Sequence, residues 1–175
     1  MKKPSVAFLT ILLLGVSVLL LAEVKTDFDH HADFGRYHTY SWLRVQASNQ
    51  LWQDRITRDV DGALQAKGWQ KVASGGDASV SAFGSTKNQQ TLQTFYDGFG
   101  GGWFWRGFGP ETATTTVENT PVGTLNVDIF DSQSKHLIWR GTSVNTLSGN
   151  PEKNDKKLEN NVEDMFKHFP PTPKG

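Results

Sequence analysis

The first 22 residues constrain everything that follows them. Lys2 and Lys3 precede an apolar run from Val6 to Ala22 that is broken only by Thr10, Gly15 and Ser17. A positive start followed by a long apolar stretch is the composition and order of an export signal. The run is long for a signal and sits at the lower limit of a membrane-spanning helix, about 17 to 25 residues. Two expectations follow. A cleaved signal would end after Ala22, a small residue, with Leu20 two positions before it where a small residue is preferred. An uncleaved inner-membrane anchor would keep Lys2 and Lys3 cytoplasmic. Both place Glu23 onward in the periplasm or cell envelope, as one domain over residues 23–175.

Composition removes whole classes of function. The 175 residues contain no Cys, which excludes disulfides, thiolate metal sites, a cysteine nucleophile and the acylated cysteine of a lipoprotein. Lys and Arg total 18 against 18 Asp and Glu. Without Lys2 and Lys3 there are 16 basic residues against 18 acidic, a formal charge of −2. Such a domain has no electrostatic attraction to nucleic acid or anionic lipid.

Beyond the leader, period-two patterns mark strands. Val24, Thr26 and Phe28 alternate with Lys25, Asp27 and Asp29, and a short strand fits Thr39 to Leu43. Ala78, Val80 and Ala82 alternate with serines, and Thr114 to Val117 is β-branched. Leu125, Val127 and Ile129, a turn over Asp131 to Lys135, and Leu137 and Trp139 within His136 to Val144 predict a β-hairpin. Two helices fit between and after them. Asn49 caps the first, whose stripe is Trp52, Ile56, Val60, Ala63 and Leu64, and Gly68 ends it with Trp69 packing back. The second starts at Asn150-Pro151, carries Leu158, Val162, Met165, Phe166 and Phe169, and stops at Pro170 and Pro171. Two amphipathic helices on one face of a mostly antiparallel sheet make a two-layer α+β sandwich.

Several strings recur in a recognisable order: Val24 to Asp29, Tyr37-His38-Thr39-Tyr40-Ser41-Trp42, Gly68-Trp69, Asp128-Ile129-Phe130-Asp131, and Ile138-Trp139-Arg140-Gly141. In these the chain resembles the bacterial exported family known as domain of unknown function 4136, over nearly everything after Ala22. The resemblance implies an envelope-located α+β domain, often tethered as a lipoprotein, with no established activity and no catalytic residues to carry over. This chain departs from it in lacking the lipoprotein cysteine.

The most biased segment runs from Phe95 to Gly109, with seven aromatics and six glycines among fifteen residues. Ordering such a segment costs about 1–2 kcal/mol per residue, and burying each aromatic returns about 1.5–3 kcal/mol, so the totals nearly cancel. It therefore either folds back, with Trp103, Trp105 and Phe108 completing the core, or acts as a contact element. In the second case Trp103, Phe104 and Trp105 are the apolar contacts and Arg106 the polar anchor, facing an envelope protein, a glycan or the membrane interface. Its glycines do not match Gly-x-Gly-x-x-Gly, and neither Gly-Lys-Ser/Thr nor a helix start follows, so no nucleotide is expected.

Asp27, Asp29, His30, His31, Asp33 and His38 form a His/Asp cluster. On a strand His30 and His31 point to opposite faces, so Asp27, Asp29 and His31 make at most a weak metal site, and a solvated polar face explains the same residues. Gly-x-Ser-x-Gly, His-Glu-x-x-His and Ser-x-x-Lys are absent in any supporting context. Asp77, Asp97 and Asp131 sit beside turn formers, where capping outweighs acid–base chemistry. The expectation is an exported envelope accessory protein acting by contact, without cofactor or catalysis. The alternatives are a small-ligand or metal-binding periplasmic module, or a hydrolase built on a carboxylate pair.

Overall fold

A computed structural model describes residues 23–96 and 113–172, so residues 1–22, where an export signal or anchor is expected, lie outside the described residues. The elements are β1 (Glu23–Phe28), β2 (Thr39–Gln46), α1 (Gln50–Ala66), β3 (Gln70–Lys71), β4 (Ala78–Tyr96), β5 (Ala113–Asp131), β6 (Leu137–Thr146) and α2 (Pro151–Phe166). They build a six-stranded sheet in the order β1-β6-β5-β4-β2-β3. β1, β6, β5 and β4 pair antiparallel, whereas β2 runs parallel to both β4 and β3. The parallel pair is joined through α1, because a crossover between parallel neighbours needs a helix-length connection. The architecture is α+β with a mostly antiparallel sheet, and α1 and α2 pack against each other and the sheet.

Local chemistry fixes the helix ends. The Asn49 side chain accepts the Trp52 N–H at 3.1 Å. Gly68, at φ +85°, donates to the Gln65 carbonyl, and Trp69 donates to that of Leu64 at 3.1 Å. This double closure needs a residue that tolerates left-handed backbone, and it brings Trp69 back onto the core. Asn150 accepts the N–H groups of Glu152 and Lys153, with Pro151 in the first turn. α2 ends at Phe166 rather than continuing to Phe169, because a residue before proline is driven out of the helical region. Phe169 is still buried, its ring 5.2 Å from Trp69 and 5.4 Å from Trp139.

The helix-facing side of the sheet supplies the core. Tyr40, Val80, Val127 and Ile129 meet Ile56, Val60 and Leu64 of α1 and Val162, Met165 and Phe166 of α2. Toward one end these give way to an aromatic cluster of Phe34, Tyr37, Trp69, Trp139, Phe166 and Phe169, mostly edge-to-face. The Trp-x-Gly string has a steric cause here. A Cβ at Gly141 would lie 2.6 Å from Trp139 Cη2 and 3.0 Å from Met165 Sδ, so the indole occupies the space above residue 141.

Two strand expectations are corrected. β2 continues past Leu43 to Gln46, through an irregularity between Trp42 and Arg44 that leaves Leu43 68% exposed. The stretches expected as separate strands at 78–82, 114–117 and 125–129 belong to two 19-residue strands, paired from Ala78↔Asp131 to Tyr96↔Ala113.

Candidate functional site: an aspartate-tied string, a long ribbon and the cleft at its root

The Tyr37-to-Trp42 string is held by three aspartates from three other places in the chain. Tyr37 Oη donates to Asp131 Oδ2 at 2.9 Å, and Arg36 Nη2 donates to the same oxygen at 2.8 Å. The other oxygen, Oδ1, accepts the N–H groups of Gln133 and Ser134 and the Ser134 hydroxyl. Asp77 Oδ2 accepts the His38 and Thr39 N–H groups and the Thr39 hydroxyl. Asp61, on α1, accepts from Tyr40 Oη at 2.7 Å and Trp42 Nε1 at 2.8 Å, and Lys71 Nζ sits 2.8 Å from its second oxygen.

The electrostatics follow from these bonds. Asp131 is held down to about 2, chiefly by the Ser134 N–H, against the opposing effect of burial. Asp77 is lowered by the His38 N–H and then by Thr39. Tyr37 is pushed up to about 12, and Tyr40 is also raised, in each case first by burial and then by the carboxylate it donates to. Carboxylates stabilised as anions and phenols stabilised as neutral donors are poor proton-transfer groups near neutral pH. Asp131 caps the turn beside it, through Gln133 and Ser134, whereas Asp77 does not cap its own turn but ties the start of β2 through His38 and Thr39; Asp97 lies outside the described residues.

The His/Asp cluster does not converge. β1 ends at Phe28, so His30 and His31 are in a turn closed by Ala32 N–H on the Asp29 carbonyl, and the opposite-face reading for a strand does not apply. Asp27 accepts the Phe28 N–H, and Asp29 accepts the His31 N–H at 2.8 Å while its second oxygen is 3.4 Å from His136 Nε2. Asp33 caps a single helical turn through Gly35, and the His38 N–H points at Asp77. Among the described residues no three His, Asp or Glu side chains form a group able to hold a metal ion.

The more distinctive feature is the β4–β5 pair. β2 last pairs with β4 at Gln46↔Phe83, and β6 last pairs with β5 at Val122↔Thr146. From Lys87 to Tyr96 and from Ala113 to Pro121, each strand's one strand neighbour among the described residues is the other. Ten residues at about 3.4 Å each give a two-stranded ribbon of about 34 Å. The residues joining its two strands, 97–112, hold Trp103, Phe104, Trp105 and Arg106 and lie outside the described residues.

A cleft of about 100 Å³ opens where the ribbon leaves the sheet, between the N-terminal halves of the helices. Trp52, Ile56, Leu147 and Leu158 form its apolar walls, and Gly84 and Gly123 its floor. A Cβ on either glycine would come within 3.1 Å of Ile56 or 3.0 Å of Leu147. Three of its polar neighbours are engaged within the chain. Asn154 bonds both ways with the Ser148 backbone, Lys157 Nζ donates to the Thr146 carbonyl, and Asn161 donates to Ser143 Oγ. The volume is well under the roughly 300–1,000 Å³ of sites that enclose cofactors or drug-sized ligands.

Comparison with known proteins agrees with this architecture. No curated protein matches the chain. A PDZ domain protein from Parabacteroides distasonis is similar in structure, with TM-score 0.58 at 15% identity over 88% of this chain. This chain spans only 37% of that protein's length, and the likeness shows a shared fold. The PelC dodecamer from Paraburkholderia phytofirmans gives TM-score 0.47 at 11% identity, covering 83% of this chain and 97% of that one. A minor lipoprotein from Acinetobacter baumannii gives 0.39 at 11% identity, over 76% and 92%. Both scores are too low to establish a common fold. A sequence family described as "Domain of unknown function (DUF4136)" matches residues 24–171, a span that takes in the aspartate-tied string, the Trp-x-Gly pair and the ribbon. The chain belongs to the DUF4136 family.

Proposed function

We propose that this protein is an exported envelope accessory protein that works by contact, with the β4–β5 ribbon as its arm and Trp103, Phe104, Trp105 and Arg106 as the contact residues. The observation that carries this reading is the continuation of β4–β5 pairing ten residues past Thr86, beyond the pairing of β2 and β6. Among the described residues the buried cluster takes nothing from β4 beyond Ala82 or from β5 before Leu125. The ribbon's sequence ends in the chain's densest group of aromatics, the residue type that contributes most at binding surfaces. Envelope location rests on the Lys2-Lys3 start and the Val6 to Ala22 run.

The test is the triple variant Trp103→Ala, Phe104→Ala, Trp105→Ala, compared with wild type for thermal midpoint and for chemical crosslinks in the native envelope. An unchanged midpoint with loss of the crosslinked species is the expected result. Retained crosslinks would overturn the contact reading. So would a midpoint lowered by many degrees, as removal of three core aromatics at about 3–5 kcal/mol each requires.

A further inference from the structure

Among the described residues the ribbon has two open edges, and their chemistry points to what covers them. In an antiparallel pair alternate residues turn their N–H and C=O groups toward the partner, and the rest turn outward. Each strand of the ribbon therefore presents a row of outward backbone donors and acceptors from Lys87 to Tyr96 and from Ala113 to Thr120, with no third strand among the described residues; the Pro121 carbonyl, at the root, accepts the Leu147 N–H. A two-stranded ribbon is only marginally stable in water. Natural edges that must stay free are short, bulged, charged or interrupted by proline. These edges are long and unbulged, with a continuous register, one charged residue on each strand and a proline, Pro121, only at the root. The charged residues of the two stretches are Lys87 and Glu118. The remainder is rich in Gln, Asn and Thr, residues whose side chains form ladders between stacked strands.

The two open edges are also complementary. One belongs to β4 and the other to β5, which run in opposite directions. Set a second copy beside the first, its ribbon pointing the same way, and the β5 edge of one meets the β4 edge of the next in antiparallel register. The same contact then repeats on the far side. With almost no charge to repel a like chain, a second copy is the occupant that fits. We infer that copies of this protein associate side by side through their ribbons, β5 to β4, in a head-to-tail interface that repeats from one copy to the next. The inference rests on the reading of the ribbon as the contact element, and it names the partner of the ribbon's edges.

The experiment uses the full chain, purified from the envelope fraction, with its mass in solution measured by native mass spectrometry. Wild type is expected at three or more protomer masses. A variant in which residues 88–121 are replaced by Asn-Gly, a two-residue turn joining Lys87 to its partner Val122, is expected at one. Because the chain has no Cys, single cysteines report the geometry. Thr91→Cys mixed with Thr115→Cys, Val117→Cys or Asn119→Cys is expected to give disulfide-linked dimers for at least one partner, at several times the yield of either variant alone. A monomeric wild type, an equally oligomeric shortened variant, or linkage no better in the mixtures than within Thr91→Cys alone overturns the inference. The triple alanine variant separates it from the broader reading: it is expected to keep the oligomer while losing the envelope crosslinks. A monomeric wild type whose crosslinks still depend on the three aromatics would defeat the self-association and leave the contact reading standing.

Discussion

Asp131→Asn tests the account of the Tyr37-to-Trp42 string most directly. The carboxylate accepts five hydrogen bonds, two on Oδ2 from Arg36 and Tyr37 and three on Oδ1 from Gln133 and Ser134. Asparagine has one acceptor oxygen, so its amide nitrogen must face one of these donor sets. With the nitrogen in the Oδ2 position it confronts the Arg36 guanidinium. The shift from 3.8 to about 2 sets the scale: at about 1.36 kcal/mol per unit the folded state favours the anion by about 2 kcal/mol, less whatever solvent around the half-exposed Arg36 screens. A carboxyl group lowered on folding contributes stability that is fully present above its unfolded value and is lost as pH falls through its folded value. The wild type therefore loses this contribution between about pH 4 and pH 2. Urea unfolding of both proteins at pH 7, 4 and 2.5 reads it out. The variant should be less stable by about 2 kcal/mol at pH 7, with the gap shrinking toward pH 2.5. A deficit under about 0.5 kcal/mol at pH 7, or one independent of pH, would refute the reasoning.

Other outcomes are equally specific. Gly141→Ala drives a methyl group into the Trp139 ring and should cost about 1–3 kcal/mol in chemical denaturation. Gly76→Ala meets the Tyr40 backbone at 2.6 Å, which cannot swing aside, so its loss should exceed that at Gly141 in the same measurement. Asp59 is the opposite case to Asp131. Burial raises its pKa and its Oδ2 has no hydrogen-bond partner, so its anion opposes folding, and stability attributable to it rises as pH falls. Asp59→Asn should match or exceed wild-type stability at pH 7 in urea and lack that gain on acidification. Saturating Zn²⁺ or Ca²⁺ should leave the thermal midpoint unchanged, and an upward shift would favour a metal-binding module through linkage.

Where side chains are half buried, their spacing recorded the fold. The stripes of α1 and α2, the caps Asn49 and Asn150, Gly68 and the β5–β6 hairpin were legible because one face meets the core and the other meets water. The ribbon was not. From Lys87 to Gln93 the chain reads Lys-Asn-Gln-Gln-Thr-Leu-Gln, which has no apolar–polar alternation from which to read a strand, and among the described residues no third strand pairs with it. The parallel match of Tyr40 with Ala78 and Trp42 with Val80 joins residues 38 positions apart, beyond any local pattern. Asp131 announced its capping role through adjacent turn residues, but nothing local marked the long-range ties of Asp77 to His38 and Thr39 or of Asp61 to Tyr40 and Trp42. The available signal was the pair Tyr40 and Trp42, two residues apart on one strand, whose polar ring atoms each need an acceptor once the rings are buried.

The ribbon is made from the two innermost strands of the sheet rather than from its margins. Tension applied at its far end therefore travels along continuous chain to Val80, Val127 and Ile129, which are fully sheltered from solvent. There β2 and β6 grip it from either side, and their hydrogen bonds lie across the direction of pull. They would be loaded together in shear instead of opening one after another like a zip, so a load on the ribbon falls on the centre of the sheet and not on its margins.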